Sequence, residues 1–511
     1  MEEIDRAHHG RWAVVFVVGL LLHAYAAIQS DLGLDAHVRL NGLNDAASDG
    51  QDLSWGSPRI SGGSSENTTT VYDGYIPPWN TDATLMKLTA IVSMVLVAAV
   101  VSIRPRRETS AARFEPMWGA LLMLSPVLLF STSRGYDEAP LALLMALGVV
   151  GFWFNRGETP SQQRLNGVLM ATSLLLVMIW KGFSPLTCLV VWLMMLALTE
   201  GWIVLVKTGR YTNEGQWMGS PWKAGATAFG AVYLGITLFG LASSAGTFSI
   251  VADQPSNFLI ASLFALLDTA VLYLLIGCLF WPFFACRLSR LRAASGPGLT
   301  MLAVYISAVL AGLVAYVAAL WTLEATLWNM RLANVMVVLG NNGRYATLLL
   351  VPLVALLRWD EPSEPSHAPQ ESKLAVRAIA LVLPFILFTT LIGHQLWSED
   401  AGEVLAQSWS EGDDAVLLIA PESMAMHHLY VVKTHLDLDG SQGIQGWWAN
   451  VEDAPNLLAN GDIGVDFVLV APGTTVDFDT TSWELVRSEN VPVSVPGGIQ
   501  GGTWSLYRFT A

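Results

Sequence analysis

The stretch LTMLAVYISAVLAGLVAYVAAL, residues 299–320, decides the class of fold. It contains no charged side chain, and its length matches the roughly 20 apolar residues that an α-helix needs to cross about 30 Å of hydrocarbon. Comparable apolar runs recur along the chain, so the sequence predicts a polytopic membrane protein of about eleven transmembrane helices. These predicted helices cover residues 12–28, 85–103, 117–130, 140–154, 165–180, 185–206, 224–242, 258–284, 299–320, 332–357 and 374–396.

The overall composition excludes an ordinary soluble protein. Hydrophobic residues make up 53% of the 511 residues and charged residues only 14%, whereas soluble domains carry roughly 25% charged residues. The first apolar run is longer than the core of a typical secretory signal, and no small-residue cleavage site follows it. We therefore expect it to be a retained helix.

The basic residues predict the orientation in a cell membrane, because Lys and Arg concentrate in short cytoplasmic loops. With the N-terminus inside, the inner segments hold 17 of the 27 Lys and Arg residues, the outer segments 7, and the last part of the chain 3. This bias places the N-terminus in the cytoplasm. An odd number of helices then places the C-terminal part outside.

Residues 1–396 are predicted to form the membrane domain, and residues 397–511 a small, acidic, extracytoplasmic α/β domain. Short apolar or alternating runs at 415–420, 467–471 and 504–509 favour strands, and 450–460 favours a helix. Residues 397–511 contain 17 Asp and Glu against 3 Lys and Arg, so 14 of the 15 net negative charges lie there. Such a charge disfavours nucleic acid as a partner.

A long polar segment, residues 30–82, separates the first two predicted helices. Its ends, DLGLDAHVRL (31–40) and YDGYIPPWN (72–80), are expected to be ordered. Its middle, residues 45–70, is rich in Gly, Ser, Asn and Asp and reads as a flexible insertion.

Ionisable residues at membrane helix ends are costly, so they are candidates for function where they gather on one side. Here they gather on the predicted outer side, in three loops and in the fifth outer stretch, residues 321–345. They are Asp31, Asp35, His37, Arg39, Arg134, Asp137, Glu138, Lys181, Glu324, Arg331 and Arg344.

This layout resembles the GT-C glycosyltransferases, which include protein O-mannosyltransferases and aminoarabinose transferases. The resemblance rests on DAHVRL (35–40) after the first helix, on the acidic loop STSRGYDEAP (131–140), on Gly343-Arg344-Tyr345 entering a late helix, and on the C-terminal domain. At the second position of the first motif Ala36 stands where the family has Glu. Asp35 is therefore the better candidate from that motif.

The resemblance implies transfer of a sugar from a polyprenyl-phosphate-linked donor to a protein, lipid or glycan acceptor on the outer side, usually with inversion. It implies that Asp35 is the general base, with Asp31, His37, Asp137 and Glu138 as further catalytic candidates. Cations would hold the lipid phosphate. The candidates for that role are Arg344, Arg331, Lys181, Tyr345, Arg39 and Arg134. A divalent cation, Mg²⁺ or Mn²⁺, is an optional cofactor that Asp31, Asp35, Asp137 and Glu138 would hold.

Other patterns are interpreted as structural. His427, His428 and His435 have no Cys or acidic residue at metal-ligand spacing and are expected to be surface histidines. Trp447 and Trp448 resemble part of the Trp-Trp-Asp motif of oligosaccharyltransferases, but the Asp is absent, so buried or interfacial tryptophans are expected. The alternatives that remain are an oligosaccharyltransferase-like enzyme, a transporter with charges at the bilayer midplane, and a membrane scaffold whose outer domain binds a partner.

Overall fold

The computed structural model describes most of the chain. The described residues are 2–47, 55–61, 64–68, 75–103, 114–155, 157, 159–207, 220–242, 247–269, 279–293, 296–327, 330–339, 343–359, 368–392, 395–421, 425–460, 464–476, 482–491 and 501–510.

The structure is mainly helical. In chain order the α-helices are α1 (Glu2–Gln29), α2 (Leu34–Ala47), α3 (Ala83–Ser102), α4 (Pro116–Met123), α5 (Pro126–Ser133), α6 (Glu138–Phe154), α7 (Pro160–Trp180), α8 (Pro185–Lys207), α9 (Pro221–Leu241), α10 (Ile250–Asp253), α11 (Pro255–Leu266), α12 (Trp281–Ala293), α13 (Pro297–Leu327), α14 (Leu332–Leu339), α15 (Thr347–Trp359), α16 (Ala368–Ile392), α17 (Trp397–Ser408), α18 (Ala425–Leu436) and α19 (Ala454–Asn460).

The prediction of a multi-pass membrane protein is confirmed, but the predicted count of about eleven spans is not. Among the described residues, seven helices are long and apolar enough to cross a membrane, namely α1, α3, α7, α8, α9, α13 and α16. Counting the bent pair α4 and α5 as one span gives eight. The other predicted runs correspond to shorter helices: α6 and α11 are too short for the criterion, and α14 and α15 divide the tenth run.

Proline explains the break between α4 and α5, whose axes differ by 60°. Pro126 begins α5 and has no N–H to continue the hydrogen bonds of α4. His23 of α1 lies at this break, where Nε2 donates to the carbonyl oxygen of Met123 (3.0 Å) and Nδ1 accepts from the hydroxyl of Thr132. A side chain from a neighbouring helix thereby satisfies a backbone group that the kink releases inside the bilayer.

Two buried arginines donate hydrogen bonds to backbone carbonyl oxygens near the ends of helices on the predicted inner side. Arg358 donates to the carbonyl oxygens of Val101 and Ile103 at the end of α3 and, at 3.1 Å, to Glu115. Arg287 donates to the carbonyl of Leu357 in α15. A cation at a helix C-terminus compensates the carbonyl groups that lack an intrahelical partner.

The strands form one seven-stranded sheet of order β2-β1-β4-β3-β5-β7-β6. They are β1 (Trp55–Ser61), β2 (Ser64–Thr68), β3 (Ala415–Ile419), β4 (Gln445–Ala449), β5 (Phe467–Val470), β6 (Trp483–Val491) and β7 (Gly502–Phe509). The neighbours β1, β4, β3 and β5 run parallel. The antiparallel pairs are β2 with β1, β7 with β5, and β6 with β7. The strands expected at 415–420, 467–471 and 504–509 and the helix expected within 450–460 are all present.

Both faces of the central strands are covered, so this part is an α/β structure with two hydrophobic cores. Val416 and Leu418 of β3 pack with α17 and α18 on one face, while Leu417 and Ile419 pack with α19 on the other. Successive side chains of a strand point to opposite faces. A short, uninterrupted apolar run is therefore what a strand covered on both sides requires.

The expectation of a flexible insertion at residues 45–70 is wrong for the part that the structure describes. Residues 55–61 and 64–68 form an antiparallel hairpin, and β1 extends the parallel sheet at β4. Trp55 is fully buried in the first core, and a Cβ at residue 446 would lie 1.9 Å from its ring, so only glycine fits there. The polar composition of the segment gave no indication that one side chain, Trp55, anchors it to the sheet.

The chain forms two compact units. The first comprises Met1–Gln29, Asp73–Tyr75 and Lys87–Gly393, and the second comprises Ser30–Tyr72, Ile76–Met86 and His394–Ala511. The second unit therefore contains α2 and the β1–β2 hairpin together with the C-terminal strands. The domain boundary at residue 397 that the sequence suggests stays a prediction.

The membrane orientation is testable by cysteine labelling. We expect a membrane-impermeant maleimide added from outside to modify Thr81→Cys and Ser441→Cys but not Ser161→Cys, since all three positions are exposed in the structure and only the last lies on the side rich in Lys and Arg. Each variant is made with the natural cysteines Cys188, Cys278 and Cys286 replaced by serine. Labelling of the opposite set would reverse the predicted orientation.

Candidate functional site

The first group of candidate residues lies in the first unit and centres on Arg344. This residue lies in a short 3₁₀ turn, Gly343–Ala346, directly before α15, and its side chain is buried. Its guanidinium carbon lies 4.4 Å from the ring centre of Tyr136 and 4.9 Å from that of Tyr345, and Nη2 donates to the Tyr345 hydroxyl at 3.0 Å. Two aromatic rings thus fix the plane of the guanidinium group.

A carboxylate faces this guanidinium group. Oε1 of Glu138, in the first turn of α6, lies 3.8 Å from Nε of Arg344. Glu138 is buried, and its second oxygen makes no hydrogen bond within the described part of the chain. The ion pair is therefore long and incompletely hydrogen-bonded on the carboxylate side, which is a costly arrangement for a buried charge.

A second cation shares the ring of Tyr345. Lys181 follows the last residue of α7, and its Nζ lies 5.7 Å from the ring centre of Tyr345 and 5.6 Å from that of Tyr316. The two tyrosine rings meet edge to face at 5.9 Å. Arg344 and Lys181, which are far apart in sequence, therefore converge on one aromatic side chain.

Asp137 is buried next to this group but is held by an aromatic donor. Nε1 of Trp180 donates to Oδ2 of Asp137 at 3.0 Å. The ring of Tyr75 meets that of Trp180 edge to face at 5.6 Å. Nothing in the sequence signalled the bond from Trp180, because indoles at the ends of membrane helices are common as interfacial anchors.

The remaining candidate cations of the first unit are Arg134 and Arg331. Arg134 follows α5, stacks on Phe130 at 3.6 Å and donates to the carbonyl oxygen of that residue. Arg331 is exposed immediately before α14. Phosphate-binding roles for Arg134 and Arg331 stay predictions.

The second group of candidate residues lies in the second unit, around Asp35 in the first turn of α2. Oδ1 of Asp35 lies 3.7 Å from Nε2 of His427 in the first turn of α18. The Asp35 side chain keeps about a third of its surface accessible (34%). It is thus a carboxylate that a substrate can reach and that has an imidazole beside it.

A histidine–carboxylate–histidine arrangement joins α2, α17 and α18 close to Asp35. Oε1 of Glu399 in α17 lies 2.7 Å from Nε2 of His37 in α2, and Oε2 is hydrogen-bonded to Nε2 of His435 in α18. Nδ1 of His37 also lies 3.0 Å from the hydroxyl of Thr434, and the side-chain amide of Asn41 donates to the Thr434 hydroxyl. These contacts fix α2, and Asp35 with it, to the helices that follow residue 396.

This arrangement shifts the pKa of two of its members. Burial alone would raise the pKa of Glu399, but the hydrogen bonds and charges of His37 and His435 outweigh it and hold that pKa at about 2. For His435, burial alone would lower the pKa, but the hydrogen bond and charge of Glu399 raise it. Glu399 is therefore ionised, and the charged form of His435 is favoured.

The expectation that His427, His428 and His435 are plain surface histidines is wrong. His428 packs its ring on Trp397 at 4.8 Å and shares a hydrogen bond of 2.8 Å with the hydroxyl of Ser398. Burial, followed by the nearby positive charges of His427 and His37, lowers the pKa of His428 to about 3. His428 and His435 are seven residues apart, and helical periodicity could have placed them on one face.

Two further candidates of the second unit have structural surroundings. Oδ2 of Asp31 accepts from the backbone N–H of Leu396 at 2.7 Å, directly before α17. Arg39 is almost completely buried in α2. Both roles suggested by the family resemblance, catalysis for Asp31 and phosphate binding for Arg39, stay predictions.

The stability of the second unit should depend on pH through Glu399. Its pKa falls from 4.5 to about 2 on folding, so its contribution is present above pH 4.5 and is lost as the pH falls towards 2. We expect a loss of about 1 to 3 kcal/mol over this range in the wild type. Glu399→Gln should be less stable at pH 7 and should lack this dependence, which thermal unfolding followed by tryptophan fluorescence measures. An identical acid-induced loss in both proteins would contradict the role of Glu399.

The metal prediction stays untested. Within the described residues, no group of three or more His, Cys, Asp or Glu side chains is arranged to hold a metal ion. Asp137 and Glu138 belong to the first unit, Asp31 and Asp35 to the second. Asp137 and Asp31 already accept hydrogen bonds from Trp180 and from a backbone amide.

Comparison with known proteins gives matches to solved structures only. No family model matches the sequence, and no curated protein matches it. The chain is similar to the crystal structure of ArnT from Cupriavidus metallidurans bound to undecaprenyl phosphate, with 12% identity, 97% of each chain covered and a TM-score of 0.46. It is also similar to the apo structure of the same ArnT, with 14% identity, 98% of each chain covered and a TM-score of 0.39.

Proposed function

We propose that this protein is a membrane glycosyltransferase that moves a sugar from a polyprenyl-phosphate-linked donor to an acceptor hydroxyl on the extracytoplasmic side. The observation that carries the proposal is the convergence of Arg344 and Lys181 on the ring of Tyr345, with Glu138 facing the guanidinium group. Both cations are fixed by aromatic rings, Lys181 at the end of the membrane helix α7 and Arg344 directly before α15. Such a pair suits a lipid-linked phosphate, whose chain stays in the bilayer.

The phosphate chemistry explains why both types of cation are present. The planar guanidinium group of Arg344 can donate two parallel hydrogen bonds to phosphate oxygens, whereas the ammonium group of Lys181 supplies a compact charge. When the bond between the anomeric carbon and the phosphate oxygen breaks, the electron pair remains on the phosphate. Cations placed beforehand stabilise this leaving group.

The acceptor needs a base. We propose Asp35 for this role, because its carboxylate is accessible and ionisable and lies in the segment that follows the first membrane helix. In the proposed step, the acceptor oxygen bonds to the anomeric carbon and its proton passes to Asp35, while the phosphate leaves from the opposite face. Attack opposite to the leaving group gives inversion of the anomeric configuration.

The direct test uses the full-length protein in lipid nanodiscs with a panel of radiolabelled polyprenyl-phosphate sugars. Transfer of label to water, to a membrane lipid fraction or to an added peptide or glycan acceptor would support the proposal. Binding of undecaprenyl phosphate alone is measured in parallel by thermal shift. Absence of both transfer and binding across the panel would contradict it.

Two alternatives make different predictions. An oligosaccharyltransferase-like enzyme would accept lipid-linked oligosaccharides and not monosaccharides from the same panel. A transporter would move substrate across a sealed vesicle without forming a new glycosidic bond. The described charges favour an enzyme, because Arg344, Lys181 and Glu138 lie at helix ends, and a transporter places its charges near the bilayer midplane.

Glu138 should compete with the donor phosphate for Arg344. We expect Glu138→Gln to bind undecaprenyl phosphate roughly tenfold more tightly than the wild type, because the variant removes a negative charge that faces the same guanidinium group. Without lipid, Glu138→Gln should melt at a lower temperature than the wild type, because the buried ion pair between Glu138 and Arg344 is lost.

The matched control is Glu200→Gln. Glu200 also pairs with an arginine, Arg164, but both side chains are about half exposed. We expect this change to leave phosphate binding and the melting temperature close to wild type. Weaker phosphate binding by Glu138→Gln would show that Glu138 supports the donor instead of competing with it.

A further inference from the structure

We propose that His427 is a positioning residue for Asp35, which holds the carboxylate ionised and oriented to receive the proton of the acceptor. The inference rests on the proposed function and assigns a role in it to a residue from the C-terminal helix α18. Its basis is the separation of 3.7 Å between Nε2 of His427 and Oδ1 of Asp35 within the second unit.

The fold gives this pair a fixed geometry. The first turn of α2 carries Asp35, and the first turn of α18 carries His427. The same two helices are joined further along by Asn41, whose side-chain amide donates to the carbonyl of Tyr430 and the hydroxyl of Thr434 at 3.0 Å. Asn41 is fully buried, so the two helices are joined at a point that water does not reach. Asp35 and His427 are consequently brought together by a rigid contact and not by a mobile loop.

Accessibility distinguishes this pair from its neighbours. The side chain of Asp35 is 34% exposed and that of Glu399 only 17%, whereas the imidazoles of His427 and His435 are similarly exposed, at 18% and 21%. Glu399 already receives His37 and His435 on its two oxygens. The carboxylate–imidazole pair that an incoming hydroxyl can approach is therefore Asp35 with His427, and the pairs around Glu399 support it.

The helices packed against α18 carry titratable groups close to this pair. They include Asp35 and His37 of α2 and Glu399 of α17, and His428 is the neighbour of His427 on α18 itself. Burial and the adjacent positive charges keep His428 neutral by lowering its pKa to about 3. His428 therefore does not compete with His427 for the charge of Asp35.

This arrangement has a defined part in the proposed reaction. The N–H group at Nε2 of His427 faces Oδ1 of Asp35 and favours the ionised carboxylate, which is the form that can act as a base. The proton of the acceptor hydroxyl then passes to Asp35 as the acceptor oxygen bonds to the anomeric carbon. A third group that orients a base is a recurring feature of enzymes that activate hydroxyl groups.

Kinetics of three variants test the proposal. We expect His427→Ala to lower kcat for sugar transfer by about 10- to 100-fold with little change in KM for the donor, because the variant removes the imidazole that faces Oδ1 of Asp35 and favours its ionised form. His427→Gln keeps a donor near the position of Nε2 and should recover much of the loss. Added imidazole should partly rescue His427→Ala.

The matched control is His428→Asn, on the next position of the same helix. Its side-chain oxygen can replace Nδ1 as the partner of Ser398, and imidazole should have no effect on it. If His427→Ala transferred sugar at the wild-type rate, or if His427→Gln and imidazole gave no recovery in a folded protein, the positioning role would be wrong.

A measurement without substrate separates this proposal from the proposed function. In the wild type, Asp35 should raise the pKa of His427, and Asp35→Asn should lower it towards that of an isolated histidine, as followed by NMR of ¹⁵N-labelled histidine. An unchanged pKa for His427 would refute the pairing even if the protein transfers sugar. A changed pKa in a protein without transferase activity would retain the pair and refute the reaction.

Discussion

Asp35→Asn is expected to lower the rate of sugar transfer by about 10²- to 10⁴-fold, the range that loss of a general base produces. The amide keeps the size of the side chain, and its oxygen can still lie opposite Nε2 of His427, which is 3.7 Å from Oδ1. The amide cannot take the proton of the acceptor hydroxyl. Expression, melting temperature and binding of undecaprenyl phosphate should therefore stay close to wild type. Transfer is measured with a radiolabelled polyprenyl-phosphate sugar in nanodiscs.

The matched control is Asp31→Asn. Asp31 accepts from the backbone N–H of Leu396, and the amide oxygen of asparagine can accept the same bond, so a much smaller loss of transfer is expected. A stable Asp35→Asn protein that transfers sugar at the wild-type rate would remove the base assignment. Asp137 and Glu138 would then be the remaining carboxylates to test.

The sequence predicted the membrane helices whose length and hydropathy are sufficient to identify them. Residues 299–320 needed nothing more, and α13 contains all of them. The breaks depend on tertiary contacts that hydropathy does not report. The kink at Pro126 persists because His23, about a hundred residues away in the chain, satisfies the backbone at that point. Proline alone indicates that a kink is possible, but a neighbouring helix determines whether the bilayer tolerates it.

In the second unit, too, hydropathy predicted some elements and missed those that depend on tertiary contacts. Apolar runs such as residues 415–420 predicted its strands, because a strand covered on both faces is apolar at every position. The pairing of β1 with β2 was not predicted, because one tryptophan, Trp55, anchors β1 to the sheet. A polar composition normally indicates a loop, and no local signal reports that a distant glycine, Gly446, leaves space for that ring.

At the candidate site, the sequence likewise indicated the charged residues but not the partners that the fold brings to them. Residue type and position were enough to select Asp35, Arg344 and Lys181, since charges at membrane helix ends are costly. Their partners could not be selected in this way. Trp180 and His427 are ordinary residues at their positions, and only the fold brings them to Asp137 and Asp35.

The second large effect is expected from substitution of Arg344 in the proposed phosphate site. Arg344→Ala is expected to raise the donor concentration needed for half-maximal transfer by roughly 10- to 100-fold, because the charge-assisted hydrogen bonds to the phosphate are lost. The substitution also leaves Glu138 buried without its arginine, which costs about 3 to 5 kcal/mol of stability in comparable cases. Loss of activity in this variant alone would therefore not separate binding from folding.

Two further variants make that separation. In Arg344→Ala combined with Glu138→Gln, both charges of the pair are removed, so stability should recover while the donor requirement stays high. Arg344→Lys keeps a charge near Tyr136 and Tyr345 but lacks the planar fork, and we expect only partial recovery of donor affinity. Thermal shift with undecaprenyl phosphate and donor titrations of transfer measure the two effects independently. If the folded double variant had the donor requirement of the wild type, Arg344 would serve the structure alone, and Lys181 would be the cation to test next.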